Sequence, residues 1–228
     1  SVNWRYCNLF KYFIIQYFFE ISDHMITILL TSIILIILGA LDDAIELGII
    51  FRLLTQLIGC LIIIGSGLVI VNLGNYLYLP NIQIGLLSVL CTVFCVVGLT
   101  NSFNFIDGVD GLCAGLSLIS IISILIISFL NNTYMNFLDF NYLIFVSFTL
   151  IIFLFFNLTS FSKIFLGDSG SMFLGFFISW LLILTSQNEK QIIHPILTIW
   201  CVTLPVFDIT SVVIRRCLRK INPFKPDR

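Results

Sequence analysis

Apolar residues fall along this chain in blocks, and the blocks have the length of a bilayer crossing. A helix needs roughly 20 apolar residues to cross, with about 17–25 tolerated. Eight stretches approach that standard: 2–19, 25–41, 51–71, 82–99, 112–130, 142–156, 172–184 and 192–214. The first is the weakest, because Arg5 and Lys11 interrupt it. The stretches 142–156 and 172–184 are short, so they extend into their flanks or sit where the bilayer thins. Pro205 lies inside the last block, where neighbouring helices must satisfy the carbonyl it frees. No internal repeat and no soluble domain interrupt the pattern. It predicts an all-α, polytopic integral membrane protein with about eight transmembrane helices, forming one membrane-embedded domain over residues 1–228.

Parity then sorts the connections. One membrane face receives 41–48, 101–111, 158–170 and the tail from Arg215; the other receives 20–24, 72–81, 131–141 and 186–194, which are short, polar and rich in Asn. Of the 11 Lys and Arg residues, Arg52, Lys163, Arg215, Arg216, Arg219, Lys220, Lys225 and Arg228 belong to the first face. The positive-inside rule makes that face cytoplasmic.

Composition agrees. The chain is 59% hydrophobic, where a soluble domain has roughly 45–50%, and its mean hydropathy is +1.11. A net charge of −1 gives no bulk field for nucleic acid. The 7 cysteines lie mostly inside apolar runs. Cys91 and Cys95 have helical spacing but no His or Cys cluster beside them, so they read as small apolar side chains and not as zinc ligands. The chain opens at Ser1, not Met, and stops inside a basic tail, so the expectation is a piece of a longer protein. Its opening residues carry no cleavable signal pattern.

With only 10% charged residues, each acid on the cytoplasmic face calls for a reason. The stretch 101–111 reads N-S-F-N-F-I-D-G-V-D-G and sets Asp107 and Asp110 beside glycines with no basic neighbour for several residues. Carboxylates so placed are relieved by a raised pKa, a cationic partner or a metal ion. Asp-Gly is also a strong turn signal. Asn101 and Asn104, one turn apart, suit a substrate amide, ribose or sugar hydroxyl, or else cap the loop. Asp42 and Asp43 end a helix, where their sign opposes its dipole; a solvated loop capping the next helix at Glu46 or Arg52 is the plainer alternative. Asp168, between Gly167 and Gly170 at a helix start, is a natural N-cap and equally a metal holder beside free backbone N–H groups. No Walker loop occurs. The cluster from Arg215 to Lys220 sets topology on anionic lipid or grips phosphate. Asp208, roughly two turns inside from Arg215, pairs with an arginine or lines the pocket. Acids, backbone donors and arginines at one membrane face are the parts of phosphoryl transfer to a lipid-borne acceptor.

Three ordered motifs carry a resemblance: A-L-D-D at 40–43, N-x-x-N-x-x-D-G-x-D-G-L at 101–112 and F-L-G-D-x-G-S at 165–171. Over essentially its whole length the chain resembles the polyprenyl-phosphate N-acetylhexosamine-1-phosphate transferase family (glycosyltransferase 4). His194-Pro195, Leu204-Pro205, Arg215-Arg216 and N-P-F-K-P-D-R at 222–228 resemble in particular the type that moves GlcNAc-1-phosphate from UDP-GlcNAc to undecaprenyl phosphate. That type uses Mg2+ or Mn2+, releases UMP, and performs the first membrane step of lipid-linked surface-polysaccharide synthesis. The resemblance implies Asp42, Asp43, Asp107 and Asp110 as catalytic residues, and Asp168 with Asp43 as metal ligands. It implies Asn101, Asn104, Asn157, Lys163, Arg215 and Arg216 as substrate contacts, and Phe165 as a stacking partner for uracil. It further implies UDP-GlcNAc, undecaprenyl phosphate and membrane lipids as partners, with homodimerisation left open and no nucleic acid. The setting implied is the bacterial inner membrane, multi-pass, with the site facing the cytoplasm. Direct attack and a two-step route through an aspartyl-phosphate both remain open. The family pattern also places a helix and a loop ending in Gly-Gly before Ser1, and a His-x-His-His motif after Arg228. His194 falls on the wrong face to replace those histidines.

Three rival readings meet the sequence less well. The sibling type that transfers phospho-MurNAc-pentapeptide shares all three motifs, and residues 222–228 favour the GlcNAc type. A CDP-alcohol phosphatidyltransferase needs Ala-Arg downstream of Asp-Gly, and Val109-Asp110 stands there instead. A transporter would put its ionisable residues near the midplane, often in inverted repeats; here they cluster at one interface.

Overall fold

The computed structural model describes residues 22–45, 48–75, 82–131, 137–159, 163–187 and 192–219. The helices there are α1 (Asp23–Ile45), α2 (Ile49–Gly65), α3 (Ser88–Ile106), α4 (Leu112–Leu130), α5 (Phe137–Leu158), α6 (Gly167–Gln187), α7 (Pro195–Cys201) and α8 (Thr203–Leu218). The extended pairing among the described residues is a single antiparallel bridge, Asn72 to Gln83. Five helices, α1 and α3 to α6, are long and apolar enough to cross a membrane, and the bent pair α7–α8 makes a sixth if counted as one span. The chain is a multi-pass, all-α membrane protein. The expected crossing at 2–19 lies outside the described residues.

The observed helices bear out the two short blocks and correct three others. The blocks at 142–156 and 172–184 extend into their flanks, as their length required, to become α5 and α6, drawing in polar residues that find partners there. Block 51–71 shortens to the 17-residue α2, short of the roughly 20 residues of a crossing. Five or six helices among the described residues are therefore long enough to cross where seven were expected. Helix α3 does not stop at Leu99 but runs on to Ile106, so Asn101 and Asn104 are helical and not loop. Its polar residues are satisfied inside the bundle: Thr100 Oγ1 donates to the Val96 carbonyl at 2.7 Å and Asn101 Nδ2 to the Val97 carbonyl at 2.7 Å. The last block is not one continuous helix but two, bent by 76° after Cys201.

Helix α6 is the centre of the bundle. It packs against α1, α3, α4 and α7, while α2 lies on α1 and α3, α5 on α4, and α8 on α3. Every residue from Leu174 to Ser186 is buried, with Phe176, Phe177 and Trp180 wholly so. Lipid would accept an apolar helix as readily as the bundle does, so it is the small and polar residues of α6, Ser171, Gly175, Ser179 and Thr185, that suit the middle. The outer helices instead show lipid-facing stripes, such as Leu30, Ile33 and Ile37 on α1 and Phe145, Phe148 and Ile152 on α5. Between membrane helices it is close packing that drives association, so small residues mark the contacts. A Cβ on Gly39 of α1 would lie 2.6 Å from the Cα of Ser169, and one on Gly175 of α6 would lie 2.8 Å from the Cα of Thr100. These two glycines let α6 sit directly against α1 and α3.

Both ends of α6 are tied. At the far end the Gln187 side chain accepts from the Val71 and Asn72 amides at 3.0 and 3.2 Å and donates to the Asn72 carbonyl at 3.0 Å. At the near end the first turn of α6 meets the ends of α1 and α3, where the acids collect.

Candidate active site

Four helices each bring one polar side chain to this end of the bundle. The last turn of α1 carries Asp42, the first turn of α2 carries Arg52, the first turn of α6 carries Asp168, and the last turn of α3 carries Asn104. The Asp42 carboxylate is only 2% exposed, so its charge needs a partner. Arg52 provides one: its Nε pairs with Asp42 while its Nη1 pairs with Asp168 at 2.6 Å. A planar guanidinium with five donors can hold two carboxylates at once, which an ammonium does poorly. The other Asp168 oxygen accepts from Asn104 Nδ2 at 3.1 Å, and the same amide reaches Ser171 Oγ at 2.9 Å. Asp42, Arg52, Asp168 and Asn104 thus form one continuous chain of contacts across α1, α2, α6 and α3.

Around this chain lie two further groups. Asp107 follows the end of α3, and its carboxyl is pushed up from 3.8 to about 6, first by burial and then by the negative charges of Asp168 and Asp110. Asp110 itself pairs with Lys163 at 2.6 Å, and the Lys163 ammonium lies 5.1 Å from the centre of the Phe165 ring. Phe165 is 69% exposed. One helical turn deeper, Asn101 Nδ2 donates to Gln56 Oε1 at 2.9 Å, linking α3 to α2.

Residues 25–186 match the family model described as Glycosyl transferase family 4. The chain belongs to glycosyl transferase family 4. It is 29% identical over 196 residues to an undecaprenyl-phosphate alpha-N-acetylglucosaminyl 1-phosphate transferase of Escherichia coli O157:H7, covering 86% of this chain and 53% of that protein. A Salmonella typhi protein of the same name is 30% identical over 220 residues, covering 94% of this chain and 60% of the relative. A probable undecaprenyl-phosphate N-acetylglucosaminyl 1-phosphate transferase of Bacillus subtilis is 34% identical over 207 residues, covering 91% and 57%. The chain spans about half the length of the curated relatives it matches.

In this family 4 chain the acids expected from sequence do collect at one end of the bundle, but the residue that joins them was not among the expected site residues. Arg52 counts in the sequence only as a basic residue of the cytoplasmic face and as one candidate start of the helix that the Asp42–Asp43 loop caps, and Gln56 and Ser171 carry no separate signal there. The signal for Arg52 was present: a lone cation in the apolar run of α2, ten residues after Asp42. Asp168 lies in the first turn of α6, and its carboxylate turns outward to Arg52 and Asn104. Asn157 is buried and donates to the Ile164 carbonyl at 2.7 Å, holding the segment that leads into α6. Arg215 is exposed and Arg216 buried on α8. Asp43 belongs to the end of α1, and its side chain lies outside the described residues. Residues 222–228, which favoured the GlcNAc type, lie outside them too.

The donor chemistry suits a hard divalent cation. Asp107, Asp110 and Asp168 offer carboxylate oxygens, the ligands that Mg2+ and Mn2+ prefer. Burial does most to raise the Asp107 pKa, and the repulsion from Asp168 and Asp110 that adds to it is what a cation would relieve. Among the described residues no three acidic, His or Cys side chains gather at coordinating distance, and Arg52 holds one oxygen of Asp168.

Proposed function

We propose that this chain carries the catalytic core of an enzyme that transfers GlcNAc-1-phosphate from UDP-GlcNAc to undecaprenyl phosphate. The products are undecaprenyl-pyrophosphoryl-GlcNAc and UMP. The observation that carries this reading is Arg52, a cation fixed between Asp42 and Asp168 at one end of a membrane bundle. Support comes from the names of relatives similar over most of this chain.

In the reaction, an oxygen of the lipid phosphate attacks the β-phosphorus of the sugar nucleotide. The bond from that phosphorus to the oxygen bridging the α-phosphorus breaks, and the bridging oxygen leaves with UMP. Phosphoryl transfer depends on positioning and on charge placed where it develops. Arg52 supplies positive charge, and Asp42, Asp168 and Asn104 hold its position. The Asp107 carboxylate, with its pKa near 6, takes a proton from the lipid phosphate, whose second pKa is also about 6. Phe165 offers a ring face to uracil, and Asn101, Asn157, Lys163, Asp110, Arg215 and Arg216 are assigned to the phosphates and the sugar. Asp168 and Asp43 are the proposed holders of Mg2+ or Mn2+, which supplies Lewis-acid charge for the pyrophosphate when bound. The site end faces the cytoplasm of a bacterial inner membrane in this reading, because Arg52, Lys163, Arg215 and Arg216 lie on that side.

The test uses the full-length gene product in detergent with undecaprenyl phosphate, Mg2+ and radiolabelled UDP-GlcNAc, beside Asp168→Asn and Asp107→Asn. Label entering lipid with stoichiometric UMP, lost in both variants and without metal, is the expected result. Transfer only from UDP-MurNAc-pentapeptide would keep the chemistry and overturn the donor. No transfer from either donor by folded protein would overturn the enzyme.

A further inference from the structure

The break between α7 and α8 ends a helix within a span, and the last carbonyls of any helix lack intrahelical donors. In a bilayer no water is available to replace them. Here each of the three carbonyls before the break has a donor. Thr203 Oγ1 donates to the Ile199 and Trp200 carbonyls at 3.0 Å each. The Cys201 carbonyl is the one Pro205 deprives, because a residue with an N–H at 205 would serve it in a continuous helix. Ser120 of α4 donates to that carbonyl at 2.7 Å, the shorter of its two contacts, the other being the Leu116 carbonyl of its own helix at 2.9 Å. Beyond the break, Ser102 of α3 donates to the carbonyl of Pro205 itself. Both serines are 1% exposed.

Two hydroxyls from two different helices therefore grip the chain on either side of the bend. As one straight helix, residues 195–218 would run about 36 Å at 1.5 Å per residue. Bent by 76°, α8 leaves the axis of α7 and carries Arg215 and Arg216 with it. Ser102 stands in the same turn of α3 as Asn101 and Asn104, which reach Gln56 of α2 and Asp168 of α6. A single turn of α3 thus sets α8 relative to the acid–arginine cluster.

We propose that Ser102 and Ser120 are positioning residues whose hydroxyls hold the α7–α8 bend, and with it the place of the Arg215–Arg216 end. The consequence for catalysis rests on the transfer reaction proposed above. The decisive comparison is Ser120→Ala in two backgrounds, wild type and Pro205→Ala, in the full-length protein. Pro205→Ala returns the N–H that a continuous helix would give to Cys201. Ser120→Ala should lower Tm by about 2–4 °C in the wild type and by nothing measurable in the Pro205→Ala background. Ser120→Thr, which keeps the hydroxyl, should hold both Tm and transfer. Pro205→Ala should stay folded yet lose transfer about tenfold or more as α8 straightens. An equal Tm loss in both backgrounds would mean that Ser120 merely packs, and would overturn the proposal. Wild-type transfer by Pro205→Ala would overturn the catalytic consequence of the bend. Failure of the wild type to transfer sinks the enzyme reading instead, while the Tm comparison still decides the hydrogen bond.

Discussion

Arg52 holds a position that few side chains could fill, since it pairs with a buried carboxylate on one helix and a partly exposed one on another. Removing it leaves Asp42 charged and unpaired. Arg52→Ala is expected to cost about 3 kcal/mol, the low end for breaking a buried ion pair, and to reduce transfer about 100-fold or more. Denaturation and steady-state assays of the purified variant check both. Arg52→Lys keeps the charge but not the two-sided fork, so it should restore folding more fully than transfer. Asp107 makes the opposite case. Its folded pKa near 6 lies above the ordinary 3.8, so the folded state favours its protonated form. Its contribution to stability is therefore largest at low pH and is lost as pH rises from about 4 through 6. Asp107→Asn should raise Tm at pH 7.5 in EDTA, with the gain vanishing below pH 4, while transfer is abolished. In the wild type, transfer should rise with pH through an apparent pKa near 6. A Tm gain that ignores pH would remove the charge-crowding explanation.

At the scale of elements, the apolar blocks were legible because length and hydropathy alone decide whether a helix can cross. Block 112–130 became α4 without change. The reading failed where polar residues belong to helices, because their partners come from distant segments. Asn101 looked like loop, but it bonds Gln56, 45 residues earlier. Asp42, Asp107 and Asp168 could be gathered by parity, since that needs only the count of crossings. Arg52 could not, because its role depends on the first turn of α2 coming within side-chain reach of both the end of α1 and the start of α6. Pro205 was visible in the sequence and its need for a neighbouring donor was foreseeable, but not that Ser120 would supply it or that the helix would bend by 76°. Close packing gives a prediction at the same scale. Gly175→Ala puts a methyl 2.8 Å from the α3 backbone at Thr100, where no flexible side chain can yield. It should cost about 1–3 kcal/mol, read as a lowered Tm, and weaken transfer by shifting α6 against α3. An unchanged Tm would show that the two helices have room to part.

For the whole molecule, the alternation of helix ends separates a charged end from a sparsely charged one. In a background with all cysteines replaced, Val109→Cys at the acid-bearing end and Ser66→Cys at the other are both exposed positions. A membrane-impermeant maleimide applied to spheroplasts should label Ser66→Cys at once and Val109→Cys only after permeabilisation. The reverse pattern would invert the topology and move the site to the outer surface. Helix α6 adds a consequence for biogenesis. Buried on all sides and carrying Gly167, Ser169, Gly170, Ser171, Gly175 and Ser179, it is the least apolar of the five long helices. Lipid rewards such a segment little, yet α1, α3 and α4, which enclose it, are all synthesised before it. Its entry into the membrane is then docking into a waiting groove more than partition into lipid. Fused alone to a glycosylation reporter, α6 should insert poorly, and it should insert well when the chain from α1 precedes it.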